Sequence, residues 1–231
     1  MPRKGFTMVE VVVAIAIIIV LASITVPALY RIQRAARENT AISILRIINT
    51  SQAEFRTRGL VDQDEDDIGE FGLLGELTGS IVLRNSAQRV PKTFVSHVLA
   101  PNNTDRTFGK MEGYCYRIYL PGASGVVTDN GTAASISVIA DANYQEHKFR
   151  AYAWPYGPKI TGCRVFAIDQ HPNVYYASNV TMAGGEIYKG DNGPTYNAAI
   201  PNTSSDTTSY FQDRFQVCIG KDGQEWFGLS H

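Results

Sequence analysis

The chain has 231 residues, 44% of them apolar and 19% charged, with a formal net charge of −1. That length allows one ordinary domain plus an extension, or two small domains, and the composition supports a buried core. The near-neutral balance excludes nucleic-acid binding driven by bulk positive charge, and three cysteines are too few for a disulfide scaffold.

Arg3 and Lys4 open the chain, followed by Gly5, Phe6 and, a few residues on, Glu10. Residues 11–29 then carry no charge at all. A helix of that length just spans about 30 Å of hydrocarbon at 1.5 Å per residue. An ionisable residue at the edge of such a span is a functional hypothesis by default, because hydrocarbon excludes isolated charges. A secretory signal would have a shorter apolar core and a small-residue cleavage site. Val20-Leu21-Ala22 offers one, but the apolar pattern continues through Ile24, Val26 and Leu29. A plain single-pass anchor matches the length and leaves Glu10 unexplained. Arg3 and Lys4 predict a cytoplasmic N-terminus, which Arg31, Arg34 and Arg37 on the far side weakly oppose. Pro27 removes one backbone hydrogen bond and predicts a kink, the alternative being a helix end at Thr25 or Val26.

The run Lys4-Gly5-Phe6-Thr7-Met8-Val9-Glu10, leading into that apolar stretch, resembles the N-terminus of the type IV prepilins. That superfamily includes the type II secretion pseudopilins. The resemblance covers about the first quarter of the chain. It implies cleavage between Gly5 and Phe6, methylation of the new N-terminal Phe6, and an assembly role for Glu10. It further implies a prepilin peptidase and methyltransferase, an inner-membrane assembly platform with its ATPase, and copies of the chain itself as partners. Membrane lipid is the partner before assembly, and no nucleic acid is expected. The fold implied is α+β: a long helix, transmembrane in its first half and amphipathic in its second, packed on an antiparallel β-sheet in a pilin-like ladle. The corresponding segments are a leader (1–5), a transmembrane and assembly helix (6–29), an amphipathic continuation (30–59) and an extracytoplasmic β-rich domain (60–231). The chain is then a single-pass inner-membrane protein that enters a periplasmic or surface filament. A type II secretion pseudopilin is favoured over a type IV pilin for adhesion, motility or DNA uptake. A monomeric membrane-anchored binding domain is the alternative of another class.

Beyond the span, Leu29, Ile32, Ala35, Ala36, Ile42, Leu45, Ile48 and Phe55 recur every three or four residues, a helical period. The helix is expected over 6–58, roughly 80 Å long, with Gly59 as its stop. The arginine row reads as a solvated face, with Arg34 and Glu38 as an i,i+4 pair. The acidic run 62–67 resembles the start of a calcium loop at Asp62, Asp64 and Asp66. Asp67 stands where the sharp-turn glycine should be and Leu73 where the closing glutamate should be, so a solvated loop is expected and no metal site. Residues 71–77 suggest a short helical turn packed on the domain.

From Tyr114 the pattern becomes period two. Tyr114, Tyr116, Ile118 and Leu120 share one face, and Cys115, Arg117 and Tyr119 the other. Residues 134–140, 149–154, 163–168 and 174–177 read as further strands of an antiparallel meander with one face on the helix. The stretch 164–176 is similar to the final hairpin of pseudopilin domains. Residues 177–209 are rich in Gly, Asn, Ser and Thr and are expected to be irregular surface. Residues 211–219, with Trp226 and Phe227, form a last apolar segment that docks back.

Cys115, Cys163 and Cys218 allow one disulfide, with Cys163 as one partner, or three reduced thiols. No Cys/His spacing suggests zinc. His97, His147, His171 and His231 lie in no nucleophile elbow, zincin helix or phosphate loop, so no catalytic residue, enzyme activity or cofactor is expected.

Overall fold

Helix α1 (Met8–Thr57) runs unbroken for 50 residues, about 75 Å at 1.5 Å per residue. The computed structural model describes residues 5–84, 86–101, 107–123, 125–129, 141–158, 160–181, 184–206 and 211–229. The strand expected at 134–140 lies outside the described residues. The helix continues through Pro27 rather than stopping before it. It ends where glycine permits: Gly59 takes φ +56°, a left-handed conformation suited to a helix terminus.

Only the second half of α1 is covered. Its buried residues are Glu38, Ala41, Ile44, Leu45, Ile48, Ser51, Gln52 and Phe55, one stripe at helical spacing. The expected stripe was too long: Leu29 is 51% and Ile32 65% exposed, and Ala35 and Ala36 are exposed as well. Among the described residues the domain buries the helix only from Glu38 onward, and the apolar residues before it stay exposed. Gln52 closes the packing at the other end. Its amide nitrogen donates to the Gly72 carbonyl and its oxygen accepts from the Gly72 N–H, each at 2.7 Å. A Cβ at residue 72 would meet the Phe55 ring at 3.1 Å, so glycine permits this approach.

Among the described residues seven strands form one antiparallel sheet: β1 (Gly109–Met111), β2 (Tyr114–Tyr119), β3 (Arg150–Pro155), β4 (Val165–Asp169), β5 (Val174–Ala177), β6 (Cys218–Ile219) and β7 (Glu225–Gly228). Their order is β1-β2-β3-β4-β5-β7-β6. The fold is therefore α+β and pilin-like, a long N-terminal helix followed by an antiparallel sheet. Two short helices, α2 (Leu74–Leu77) and α3 (Ala142–Gln145), complete the helical elements used below.

The alternation of β2 sorts as its sequence indicates. Tyr114, Tyr116 and Ile118 join Leu45, Ile48, Phe55, Leu74 and Phe166 in the core beneath α1. Cys115 and Tyr119 lie on the opposite face with Tyr152, Trp154 and Trp226. That second face is not left to solvent. The described residues of 177–206, expected to be irregular surface, form a cover instead: Tyr188, Ala198, Ala199 and Ile200 are buried in the second core. Side chains of the sheet hold its backbone. Tyr119 Oη donates to the Pro194 carbonyl at 2.6 Å, Tyr152 Oη to Tyr196 at 3.0 Å, and Trp154 Nε1 to Gly190 at 2.9 Å. Arg150, 2% exposed, donates to Asp206 Oδ2 at 2.7 Å and lies over the Phe211 ring at 4.3 Å. The segment 211–219 and β7 dock here, with Phe211, Phe215 and Trp226 buried and β7 paired to β5.

One buried carboxylate gives the domain a pH dependence. Asp129 Oδ1 accepts from the Gly75 N–H at 2.8 Å, at the start of α2. Its Oδ2 has no hydrogen-bond partner among the described residues. Burial, with Glu76 adding to it, raises Asp129 to about 7; Gly75, Leu74 and Arg117 oppose the shift. A raised carboxyl contributes stability that is complete below its unfolded value near 4 and is lost as pH rises toward 7. Asp129→Asn keeps the acceptor and cannot ionise. It should match the parent at pH 4 and exceed it at pH 8, by up to about 4 kcal/mol. Thermal melts at both pH values read this directly; a variant no more stable than the parent at pH 8 refutes it.

Candidate processing site and assembly helix

Gly5, Phe6 and Thr7 precede the first turn of α1. Leader residues 1–4, Arg3 and Lys4 included, lie outside the described residues. Gly5 has nothing within 4 Å of a built Cβ, and Phe6 is 79% exposed. The Gly5–Phe6 bond is therefore sterically open. Helix 6–58 was expected, and the structure starts it two residues later. Thr7 has extended backbone angles and its Oγ1 accepts from the Glu10 N–H at 3.3 Å, which makes it the N-cap. The spacing Thr7-Met8-Val9-Glu10 is that of a capping box, a signal in the sequence that places the helix start at Met8. Glu10 sits exposed in the first turn, where the positive end of the helix dipole favours a carboxylate.

Every large apolar side chain in residues 11–29 is 44–70% exposed. The helix is long and apolar enough to cross a membrane, and none of its most apolar window is buried by the chain itself. Polar side chains inside it turn inward: Ser23 Oγ donates to the Val20 carbonyl and Thr25 Oγ1 to that of Leu21. These bonds spare hydrocarbon or a sister helix from meeting free hydroxyls. The surface presented outward is thus almost wholly apolar, from Val11 to Leu29.

The arginine row at the middle of the helix does structural work. Arg37 donates to the Ile160 carbonyl at 3.0 Å. Glu38 accepts from the Cys163 N–H at 2.9 Å and pairs with Arg164 at 3.2 Å, not with Arg34 as the i,i+4 spacing predicted. Arg34 instead points toward Cys163 Sγ. Together these contacts clamp the entry to β4 onto α1.

No disulfide links the three cysteines in this structure: Cys115 is buried, Cys218 half-buried and Cys163 exposed. Adjacent strands were to bring Cys115 and Cys163 together, but β3 lies between β2 and β4. Two strand spacings amount to about 10 Å, beyond the ~7 Å Cα separation a disulfide bridges. Cys218 lies on β6, at the far edge of the sheet. His147 Nδ1 meets the Asn143 carbonyl and Glu146, while His171 meets Asp169. In the acidic loop, Asp64 and Asp66 are exposed, yet the carboxylates of Asp62, Asp64 and Asp66 converge.

The prokaryotic N-terminal methylation motif matches residues 1–26. Comparison with curated proteins and with solved structures gave no match. The motif implies processing by a prepilin peptidase and assembly into a filament, and the apolar helix behind it suits a membrane anchor. With the motif, the exposed apolar half-helix and the antiparallel sheet in one chain, this is a type IV prepilin-like protein.

Proposed function

We propose that the chain is a filament subunit of a type II secretion pseudopilus, cut between Gly5 and Phe6 and methylated on Phe6. The observation that carries this reading is the first half of α1. A rigid helix that exposes an unbroken apolar surface needs lipid at first and sister helices afterwards. The short leader and the β4–β5 hairpin support a secretion pseudopilin over a pilus subunit. The inner membrane, with the β-rich domain on its outer side, is the proposed location before assembly. The assembly platform and its ATPase are the proposed machinery that lifts the subunit out. Prepilin-like chains are structural subunits, so the chemistry in this reading is done to the protein.

Intact mass of the protein recovered from membranes tests the processing step. The expected species lacks residues 1–5 and carries one added methyl group. A mature N-terminus at Ser23 would establish an ordinary secretory signal instead. Deletion of the chain in its host should abolish secretion of folded exoproteins across the outer membrane; normal secretion with lost twitching or DNA uptake would reassign it to a pilus.

A further inference from the structure

Arg31, Arg34 and Arg37 follow the uncharged span at steps of three, so they lie along one face of α1. Farther on, the same face carries Ala41, Leu45 and Ile48 into the core. The arginines therefore stand in the corner between the helix and the near end of the domain. Contacts fix that end of the domain. Arg37 donates to the Ile160 carbonyl at 3.0 Å, and its Cδ is 3.8 Å from a Cβ built on Gly113, in the β1–β2 turn. Glu38, the next acid along the helix, is taken by Arg164 and by the Cys163 N–H. Ile160 itself is 70% exposed beside Arg37.

Two of the three arginines have no such acceptor. Arg31 is exposed and makes no ion pair among the described residues. Arg34 Nε is buried with no hydrogen-bond partner among the described residues, and its Nη1 reaches only the Cys163 thiol, at 4.0 Å. A buried guanidinium nitrogen without an acceptor is costly. Helix geometry sets the depth of both. Leu29 closes the uncharged span, so Arg31 lies about 3 Å and Arg34 about 7.5 Å beyond it at 1.5 Å per residue, with Arg37 at about 12 Å. The headgroup layer adds about 5–7 Å to each side of the hydrocarbon, which takes in Arg31 and reaches Arg34. Tyr30, 56% exposed between Leu29 and Arg31, is of the residue type that settles at this level. Lipid phosphates lie at the same depth, and a phosphate accepts two parallel N–H groups from one guanidinium. We propose that Arg31 and Arg34 bind the headgroup phosphate of an anionic phospholipid in the corner beneath the domain.

The arginine row then has a reason. Cations beyond the span oppose the usual charge bias of membrane proteins, and a merely solvated face would not bury Arg34 Nε without an acceptor. A phosphate oxygen supplies that acceptor, and the lipid's net negative charge answers Arg31. Arg37, already held by the Ile160 carbonyl and about 12 Å out, lies outside the site. The bound lipid fixes the height and rotation of the domain over the membrane while the chain awaits assembly. The proposal rests on the membrane placement of the chain proposed above.

The test uses the full chain in non-ionic detergent, titrated with phosphatidylglycerol or phosphatidylcholine and read by native mass spectrometry. The parent should hold phosphatidylglycerol about twenty-five-fold more tightly, about fivefold for each arginine. Arg31→Gln with Arg34→Gln should abolish that preference and leave the melting temperature unchanged, since neither side chain makes an ion pair in the domain. Arg37→Gln removes an equal charge one turn farther out and should keep the preference. Equal binding of the two lipids by the parent overturns the proposal. So does an equal loss in Arg37→Gln, which would reduce the effect to net charge. Competition by inorganic phosphate would assign the arginines to a free anion and overturn it as well. Flotation with phosphatidylcholine vesicles checks the span separately. A chain that does not float overturns the membrane placement itself, whereas one that floats and shows no lipid preference overturns this proposal alone.

Discussion

Arg84→Met should destabilise the β-rich domain by about 3–5 kcal/mol, a large share of the 5–15 kcal/mol typical of a domain. Arg84 is 4% exposed and is the cation between two buried acids, Glu70 and Glu76, both 0% exposed. Its Nε lies 3.2 Å from Glu76 and its Nη1 3.5 Å from Glu70. The guanidinium also donates to the Gln145 side chain and to the Phe71 carbonyl, and the Arg84 N–H meets Glu76 Oε1 at 2.9 Å. One side chain therefore ties the loop after α1, α2 and α3 into a single unit. Glu70 is already raised by burial, with Arg84 the leading opposing influence. Without Arg84 neither acid has a counter-charge, Glu70 keeping only its Gln63 donors and Glu76 only backbone N–H groups, and their ionisation opposes folding. A carboxyl raised in the folded state loses its contribution as pH rises, so the deficit of the variant should be larger at pH 8 than at pH 4. Adding Glu70→Gln and Glu76→Gln to Arg84→Met should recover most of the loss, because no buried charge remains. Urea unfolding at the two pH values measures the parent and both variants. A loss below about 1 kcal/mol, or one independent of pH, would show that packing alone explains Arg84.

This network was invisible in the sequence, and the reason is physical. Glu70, Glu76 and Arg84 look like ordinary surface charges, since burial of paired charges leaves no periodic trace. The strands were more legible. Tyr114 to Leu120 alternate cleanly because each residue type suits its own core, tyrosines and Ile118 beneath the helix, Cys115 and Tyr119 beneath the cover. The cover itself was hidden by its composition. Segment 177–209 docks through its carbonyls on Tyr119, Tyr152 and Trp154, and backbone acceptors have no sequence signature.

The helix was legible in kind and misjudged in extent. Periodicity records which side of α1 is apolar, from Leu29 to Phe55, but not which partner covers it. The sheet takes the part from Glu38 onward, and Leu29 and Ile32 are left for other copies or lipid.

Glu10→Gln should leave insertion and cleavage intact and abolish homopolymeric filaments on overexpression. A lone carboxylate within hydrocarbon costs about 2.5–3.5 kcal/mol on insertion scales. Cleavage would create an amine at Phe6 that stays positive after methylation, a partner for that carboxylate. A helix running from Phe6 would set the two groups about 6 Å apart along its axis, but α1 starts only at Met8. Two residues at up to 3.6 Å and two helical steps of 1.5 Å let the amine reach up to about 10 Å from Glu10. A sister subunit shifted axially by up to that distance would set its amine beside this carboxylate. Both charges are then neutralised only in the correct register, and each wrong register leaves one bare in an apolar surround. The competing role of Glu10 is local: it is the third residue of a helix capped by Thr7, where an acid stabilises the first turn. Glutamine keeps the Thr7 cap, which is made to the backbone N–H of residue 10, and the charge it removes is worth only about 0.3–1 kcal/mol to the first turn, too little to abolish filaments by itself. Electron microscopy of sheared filaments, beside intact mass of the membrane pool, reads both. Cleaved, methylated Glu10→Gln protein without filaments would assign the carboxylate to register. Filaments of normal length and yield would leave Glu10 with helix capping alone, and subunit order would then rest on the apolar surface between Val11 and Leu29.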